Sequence, residues 1–288
     1  MRNIKIVADS SANLMTLDQI PFDAAPLKII TPEREFVDNR ALDLDAMLDY
    51  FASYKGRSQT SCPNPDDWLT AFGDAEEIYC VTITSGLSGS YNAAQQAAQV
   101  HMEEHPGSKV FIFDSLSTGP EMMMIVDKVR QLEAQGLDYD AIREQVLDYH
   151  NHCHTLFCLQ SMTNLARNGR VHPAVAKIAG MLNIRVVGSA RGGEIVPAQK
   201  PRGDKKALQI MVDMMTEYGL QDGMLVRIAH CFNAPGAQAL MDAVKSQHPN
   251  CRFIIEPTTA LCSFYAEVGG LIVGYEGNFC DYNDNSKF

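Results

Sequence analysis

Between residues 4 and 114 the sequence switches repeatedly from short apolar, β-branched runs to longer runs with helical spacing. This alternation constrains the fold more than any other feature of the chain. Ile4 to Ala8, Pro26 to Ile30, Ile78 to Thr84 and Lys109 to Asp114 read as buried strands. Leu42 to Tyr54, the stretch opening at Asn64-Pro65-Asp66-Asp67-Trp68, Tyr91 to His105, Met122 to Gln135 and Tyr139 to His150 read as helices. Asn64 suits an N-cap, with Pro65 in the first turn and two acidic residues on the helix dipole. Strands separated by helices of this length predict βαβ units and a parallel sheet.

The second half has a different pattern. Strand candidates are Leu156 to Gln160, Ile184 to Val187, Glu194 to Pro197, Met224 to Cys231, Arg252 to Pro257 and Leu271 to Tyr275. Helices are predicted over Met162 to Arg167, Pro173 to Met181, Lys205 to Glu217 and Gly236 to Gln247, with a hairpin turn at Arg191-Gly192-Gly193. The expected class is α/β: an N-terminal parallel-sheet α/β domain over residues 1–152 and a C-terminal mixed-sheet α+β domain over 153–280. No internal repeat or low-complexity tract interrupts either half. The chain has 288 residues, 46% of them apolar and 20% charged, enough to bury a sizeable core in either arrangement.

The most informative local stretch is Thr84 to Gln99, TSGLSGSYNAAQQAAQ. An apolar strand enters it and an alanine-rich helix leaves it, so the turn presents free helix amides and a positive dipole end, a ready anion site. Gly86 and Gly89 admit a close approach to the backbone, and Ser85, Ser88 and Ser90 carry hydroxyls. Helix capping by Ser88 or Ser90 accounts for the same residues, and the local pattern alone leaves both readings open. Ser58 to Pro63, Asp9-Ser10-Ser11 and Asp114 to Gly119 are further small polar turns. In an open parallel sheet, ligands collect at the carboxyl ends of the strands, where such turns gather. Together the four turns favour an anion-binding rim. Gly86-Leu87-Ser88-Gly89-Ser90 departs from the G-x-S-x-G nucleophile elbow, because Ser90 stands where the last glycine belongs. The run is no phosphate-cradling Walker loop either.

The net charge of −11 and the lack of a dense Lys/Arg run argue against a nucleic-acid partner or an anionic membrane. No run of about 18 apolar residues is present, so integral membrane association is not expected. The eight cysteines are scattered, and with no export signal they are expected to be reduced thiols of a cytoplasmic protein. The cluster His150, His152, Cys153, His154 and Cys158 is read as a helix end followed by a core strand rather than a metal site. Met122, Met123 and Met124 are read as core packing.

The segments IKIVADSSANL, SQTSCPNPDDW, VTITSGLSGSYNAA, FIFDSLSTGPEM, LARNGRVHPAVAKIAGMLNIR and QKPRGDKKAL resemble successive motifs of the DegV family, collinearly from residue 3 to about 277. The resemblance implies a bacterial lipid-binding protein of two domains, with a tunnel for one long-chain fatty acid between them and no cofactor. Thr60, Ser88 and Gly89 match the family's carboxylate-binding positions. Tyr265 matches a histidine of the family, and Glu267 a glycine. The resemblance further implies presentation of the carboxylate to a partner fatty-acid kinase in phospholipid metabolism, with Arg170 and Arg202 matching kinase-contacting arginines and no catalytic residue on the carrier. Ala174 to Leu182 is apolar enough to line such a tunnel or to pack as a core helix. An acyl or phosphoryl hydrolase using the Ser88 turn, and an acyl-responsive regulatory sensor, are the alternatives.

Overall fold

The computed structural model describes residues 3–175 and 182–278. The chain divides into two compact units that interleave in sequence: residues up to 118 with 122–147 and 259–261, and residues 119–121 with 148–258 and 262 onward.

In the first unit the elements are β1 (Ile4–Asp9), β2 (Phe22–Ala25), β3 (Lys28–Ile30), β4 (Glu35–Val37), α1 (Leu44–Ser53), β5 (Gln59–Ser61), α2 (Pro65–Phe72), β6 (Glu77–Thr82), α3 (Ser90–Glu104) and β7 (Lys109–Asp114). The helices α4 (Pro120–Ala134) and α5 (Tyr139–His150) follow, with residues 120–121 of α4 and 148–150 of α5 belonging to the second unit. The main sheet has the order β2-β1-β6-β7, and every pair in it is parallel. The central strands β1 and β6 are buried on both faces, as in a sheet covered by helices. The helix α2 starts where the sequence predicts: Asn64 and Asp67 cap each other's amides at 2.9 Å, and Pro65 supplies a preset φ. Trp68 and Phe72 of this helix are fully buried with Ala94, Ala97 and Ala98 of α3. The alanine face brings α3 close to its neighbours and fixes the direction of its axis.

Two expectations change here. The strand predicted at Pro26 to Ile30 forms over Lys28–Ile30, but it joins a separate small antiparallel sheet of order β4-β3-β5. The parallel neighbour of β1 is β2, a four-residue strand whose alternating burial gave no continuous apolar run to detect.

The second unit contains β8 (Cys153–Leu159), α6 (Thr163–Arg167), β9 (Val186–Arg191), β10 (Glu194–Gln199), α7 (Asp204–Glu217), β11 (Leu225–His230), α8 (Ala234–Lys245), β12 (Arg252–Pro257), α9 (Ala260–Ala266) and β13 (Leu271–Glu276), with the first two residues of α9 belonging to the first unit. The sheet order is β10-β9-β8-β13-β11-β12, antiparallel except for the β11–β12 pair. Gly192 and Gly193 carry φ of 56° and 83°, the double left-handed turn that joins β9 to β10. A methionine-rich core of Met211, Met214 and Met215 packs with Val226, Leu240 and Val273. The helix α9 is absent from the sequence reading. Of the helix predicted over Pro173 to Met181, residues 173–175 are helical, and the rest of it, like most of the Ala174 to Leu182 segment, lies outside the described residues.

Candidate functional site

Because β1, β6 and β7 run in parallel, their carboxyl ends lie together, with Thr82 paired to Asp114. The ladder continues past the strands: Ser115 N donates to Thr82 O at 3.2 Å and Thr84 N to Ser117 O at 2.9 Å. The turn between β6 and α3 is then built from its own polar groups. Gly86 N donates to Thr84 Oγ1 at 3.1 Å, and Ser85 N to Asp114 Oδ1 at 3.1 Å. Gly89 is the N-cap of α3 and supplies no side-chain cap. Ala93 N, in the first turn, reaches Gly89 O at 3.0 Å, and the amides before it are those a helix leaves without i−4 partners. Ser88 is half-buried, and its Oγ accepts from Ser90 N at 3.3 Å, so its own O–H is available to donate.

The Thr60 segment reaches the same place. A Cβ built on Gly89 would stand 3.3 Å from Cys62 Sγ, so the turn backbone lies against the residue two beyond Thr60. Thr60 itself is half-buried in β5, in register with Ile29. The structure therefore brings the Thr60 block and the Ser88–Gly89 turn together in the first unit.

Not every small polar residue faces outward. Asp9, Ser10, Ser11 and Ser90 are fully buried. Asp9 accepts from Ile83 N at 2.8 Å, Ser90 Oγ at 2.7 Å, Ser11 N at 3.2 Å and the Ser11 hydroxyl. Burial raises its carboxyl above the usual range, against the opposite pull of these four donors. Asp38 accepts from Ala260 N at 3.1 Å, Leu261 N at 3.0 Å and Thr259 Oγ1 at 3.4 Å. Burial pushes its carboxyl up to about 6, with these donors and Ser10 acting the other way. The Ser90 hydroxyl is thus neither a rim donor nor a helix cap, and Ser10 and Ser11 likewise serve buried acids. Sequence reasoning missed Asp38 altogether and took Asp9 only as a turn residue; the signal for Asp9 was an acid placed directly before two serines at a strand end.

In the second unit Tyr265 lies on α9, half-buried, with its ring 5.0 Å from that of Phe264. Glu267 has φ of 55°, the left-handed backbone that a glycine adopts without strain. Its Oε1 accepts from Asn164 N at 3.1 Å in the first turn of α6, while Asn164 Nδ2 donates to Phe264 O at 2.8 Å. The Glu267 carboxylate is therefore engaged with a helix start. Arg170 donates through its guanidinium to Asn168 O, and Arg202 is exposed in a bridge with Ile184. His150 closes α5 and meets the buried Glu121 at 3.4 Å, and Cys158 is buried in β8. Among the described residues no group of three potential metal ligands occurs, and no helix is long and apolar enough to cross a membrane.

The family model described as "Uncharacterised protein, DegV family" matches residues 3–277. The chain belongs to the DegV family. A DegV domain-containing protein of Streptococcus gordonii is 39% identical over 277 residues, covering 94% of this chain and 98% of the relative. Among solved structures, a DegV family protein from Eubacterium eligens loaded with heptadecanoic acid has a TM-score of 0.93 at 39% identity, covering 96% of this chain and 100% of that one. The Streptococcus pneumoniae Fatty Acid Kinase (Fak) B3 protein loaded with linoleic acid has a TM-score of 0.93 at 38% identity, with the same coverage. The DegV fold, a parallel-sheet α/β region followed by a mixed-sheet region, is the one predicted.

Proposed function

We propose that this chain is a cytoplasmic lipid carrier that binds one long-chain fatty acid and presents its carboxylate to a separate fatty-acid kinase, supplying no catalytic group itself. The observation that carries the reading is the meeting of Gly89, next to Ser88, with Cys62, two residues beyond Thr60, at the start of α3. An anion there gains the helix dipole, free first-turn amides and a serine O–H. The relatives loaded with heptadecanoic and linoleic acids supply the ligand class. Burying the acyl chain contributes about 0.8 kcal/mol per CH₂, so the chain dominates affinity while the charge-assisted donors set orientation. Thr60, Ser88, Gly89 and Tyr265 are the proposed carboxylate contacts, and Arg170 and Arg202 the proposed kinase contacts. In the hydrolase alternative Ser88 would need a base within reach of its O–H.

Mass spectrometry of an organic extract from the purified, denatured protein tests the binding. A stoichiometric fatty acid is the expected result. An extract that stays empty after incubation with fatty acids would overturn the reading, and ester turnover abolished by Ser88→Ala would favour the hydrolase. Kinase presentation is tested by adding a fatty-acid kinase and ATP to the loaded protein, with acyl phosphate expected only when both proteins are present.

A further inference from the structure

We propose that Asp9 is a positioning residue that fixes the Thr84–Gly89 turn in the shape that receives a ligand carboxylate, an inference that rests on the fatty-acid-binding reading above. A single oxygen of Asp9, Oδ2, accepts from Ile83 N at 2.8 Å and from Ser90 Oγ at 2.7 Å. Ile83 is the last residue before the turn and Ser90 the first after it, so one atom ties the entry of the turn to its exit. The other oxygen accepts from Ser11 N and the Ser11 hydroxyl, which fixes the plane of the carboxylate.

The brace continues toward the ligand face. Ser90 N donates to Ser88 Oγ at 3.3 Å, so a line of hydrogen bonds runs from Asp9 through Ser90 to Ser88. With one lone pair of Ser88 occupied by that amide, its hydroxyl proton is available to be donated. Asp114 holds the outer flank through Ser85 N at 3.1 Å, but it is only half-buried, and water can take over such a bond. Asp9 is fully buried, and nothing can replace what it accepts.

The chemistry also selects the residue type. Four donors converge on Asp9, two from amides and two from hydroxyls, and they require a group that accepts only. An ionised carboxylate accepts at both oxygens, whereas asparagine, nearly the same in shape, turns an NH₂ toward two of those donors. Asp9→Asn therefore changes the brace while leaving the volume of the site almost unaltered.

The experiment compares the dissociation constants of hexadecanoic acid and hexadecan-1-ol, read by displacement of a fluorescent fatty acid. The proteins are the wild type, Asp9→Asn, Ser88→Ala and the double variant, with amide hydrogen exchange of each followed without ligand. Asp9→Asn is expected to weaken the acid about tenfold and the alcohol less than about twofold. Ser88→Ala should then cost less in the Asp9→Asn background than alone. Exchange should accelerate at residues 84–91 while β1 stays protected. Equal weakening of acid and alcohol, or unchanged exchange in the turn, would make Asp9 a general stabilising residue and overturn the proposal. A wild type that binds neither molecule would defeat the fatty-acid reading, and the brace would then stand or fall on the exchange data alone. Should Asp9→Asn fail to fold, Ser90→Ala cuts the same tie at its other end; about threefold weaker acid binding with the alcohol unchanged is expected, and no change would be decisive against the brace.

Discussion

In the first unit β1, β6 and β7 run the same way, so Asp9, Thr82 and Asp114 finish at one edge. In the second, β8, β13 and β11 alternate, and Leu271 begins its strand where Cys158 and His230 lie near the ends of theirs. The parallel edge gathers turns, helix starts and buried acids in one place. The alternating sheet disperses them, and its ionisable side chains are engaged locally instead, Arg227 with Glu256 at 3.0 Å and Glu121 with His150 and Thr155. The cores differ too: tryptophan and phenylalanine among alanines in the first, methionines in the second. Strand direction thus decides which unit gathers its turns and helix starts at one edge.

The largest expected effect probes the two cores. Trp68→Ala should destabilise by about 3–5 kcal/mol, since an alanine face cannot collapse into the cavity. Met211→Ala should cost about 2 kcal/mol, because neighbouring methionines adapt. Equal costs in urea titrations would erase the contrast in packing.

Next is the buried acid Asp38. Burial pushes its folded carboxyl up to about 6 from the usual 3.8, so between these pH values the folded state holds the extra proton. The stability this group contributes is fully present below about pH 4 and is lost as pH rises through about 6, a change on the order of 3 kcal/mol. Wild type minus Asp38→Asn should therefore decline between pH 4 and 7; a flat difference would show that Asp38 is solvated in the fold.

Ser88→Ala is expected to weaken fatty-acid retention by about 1–3 kcal/mol without a matching loss of thermal stability. Tyr265→Phe on the second unit should cost less, about 0.5–1.5 kcal/mol. The reverse ranking would move the head-group contacts to the second unit. The smallest effect is expected at Phe232, exposed with φ of 49°. Phe232→Asn should stabilise by about 0.5–1 kcal/mol, read as a small rise in Tm, because asparagine tolerates the left-handed backbone.

Much of the fold was legible because it depends on local rules. The Asn64–Asp67 capping box, the Gly192–Gly193 turn and the parallel strands all carry signals within a few residues. The strands of the small sheet have three residues each, too short for periodicity, and α9 has only seven. At the candidate site, small residues and glycines marked the turn, and Gly89 lies against Cys62, two residues beyond Thr60. What the sequence could not reveal was direction. A serine that faces a ligand and one that faces a buried acid look alike until the partner is known, and the partners of Ser10 and Ser90 come from far along the chain.

The contact of Asp38 with Ala260 spans 222 residues. During synthesis at about 5–20 residues per second, Asp38 leaves the ribosome roughly 10–45 s before the amides that receive its carboxylate. The first unit, although encoded first, has to wait for nearly the whole chain before its last buried charge finds its partners.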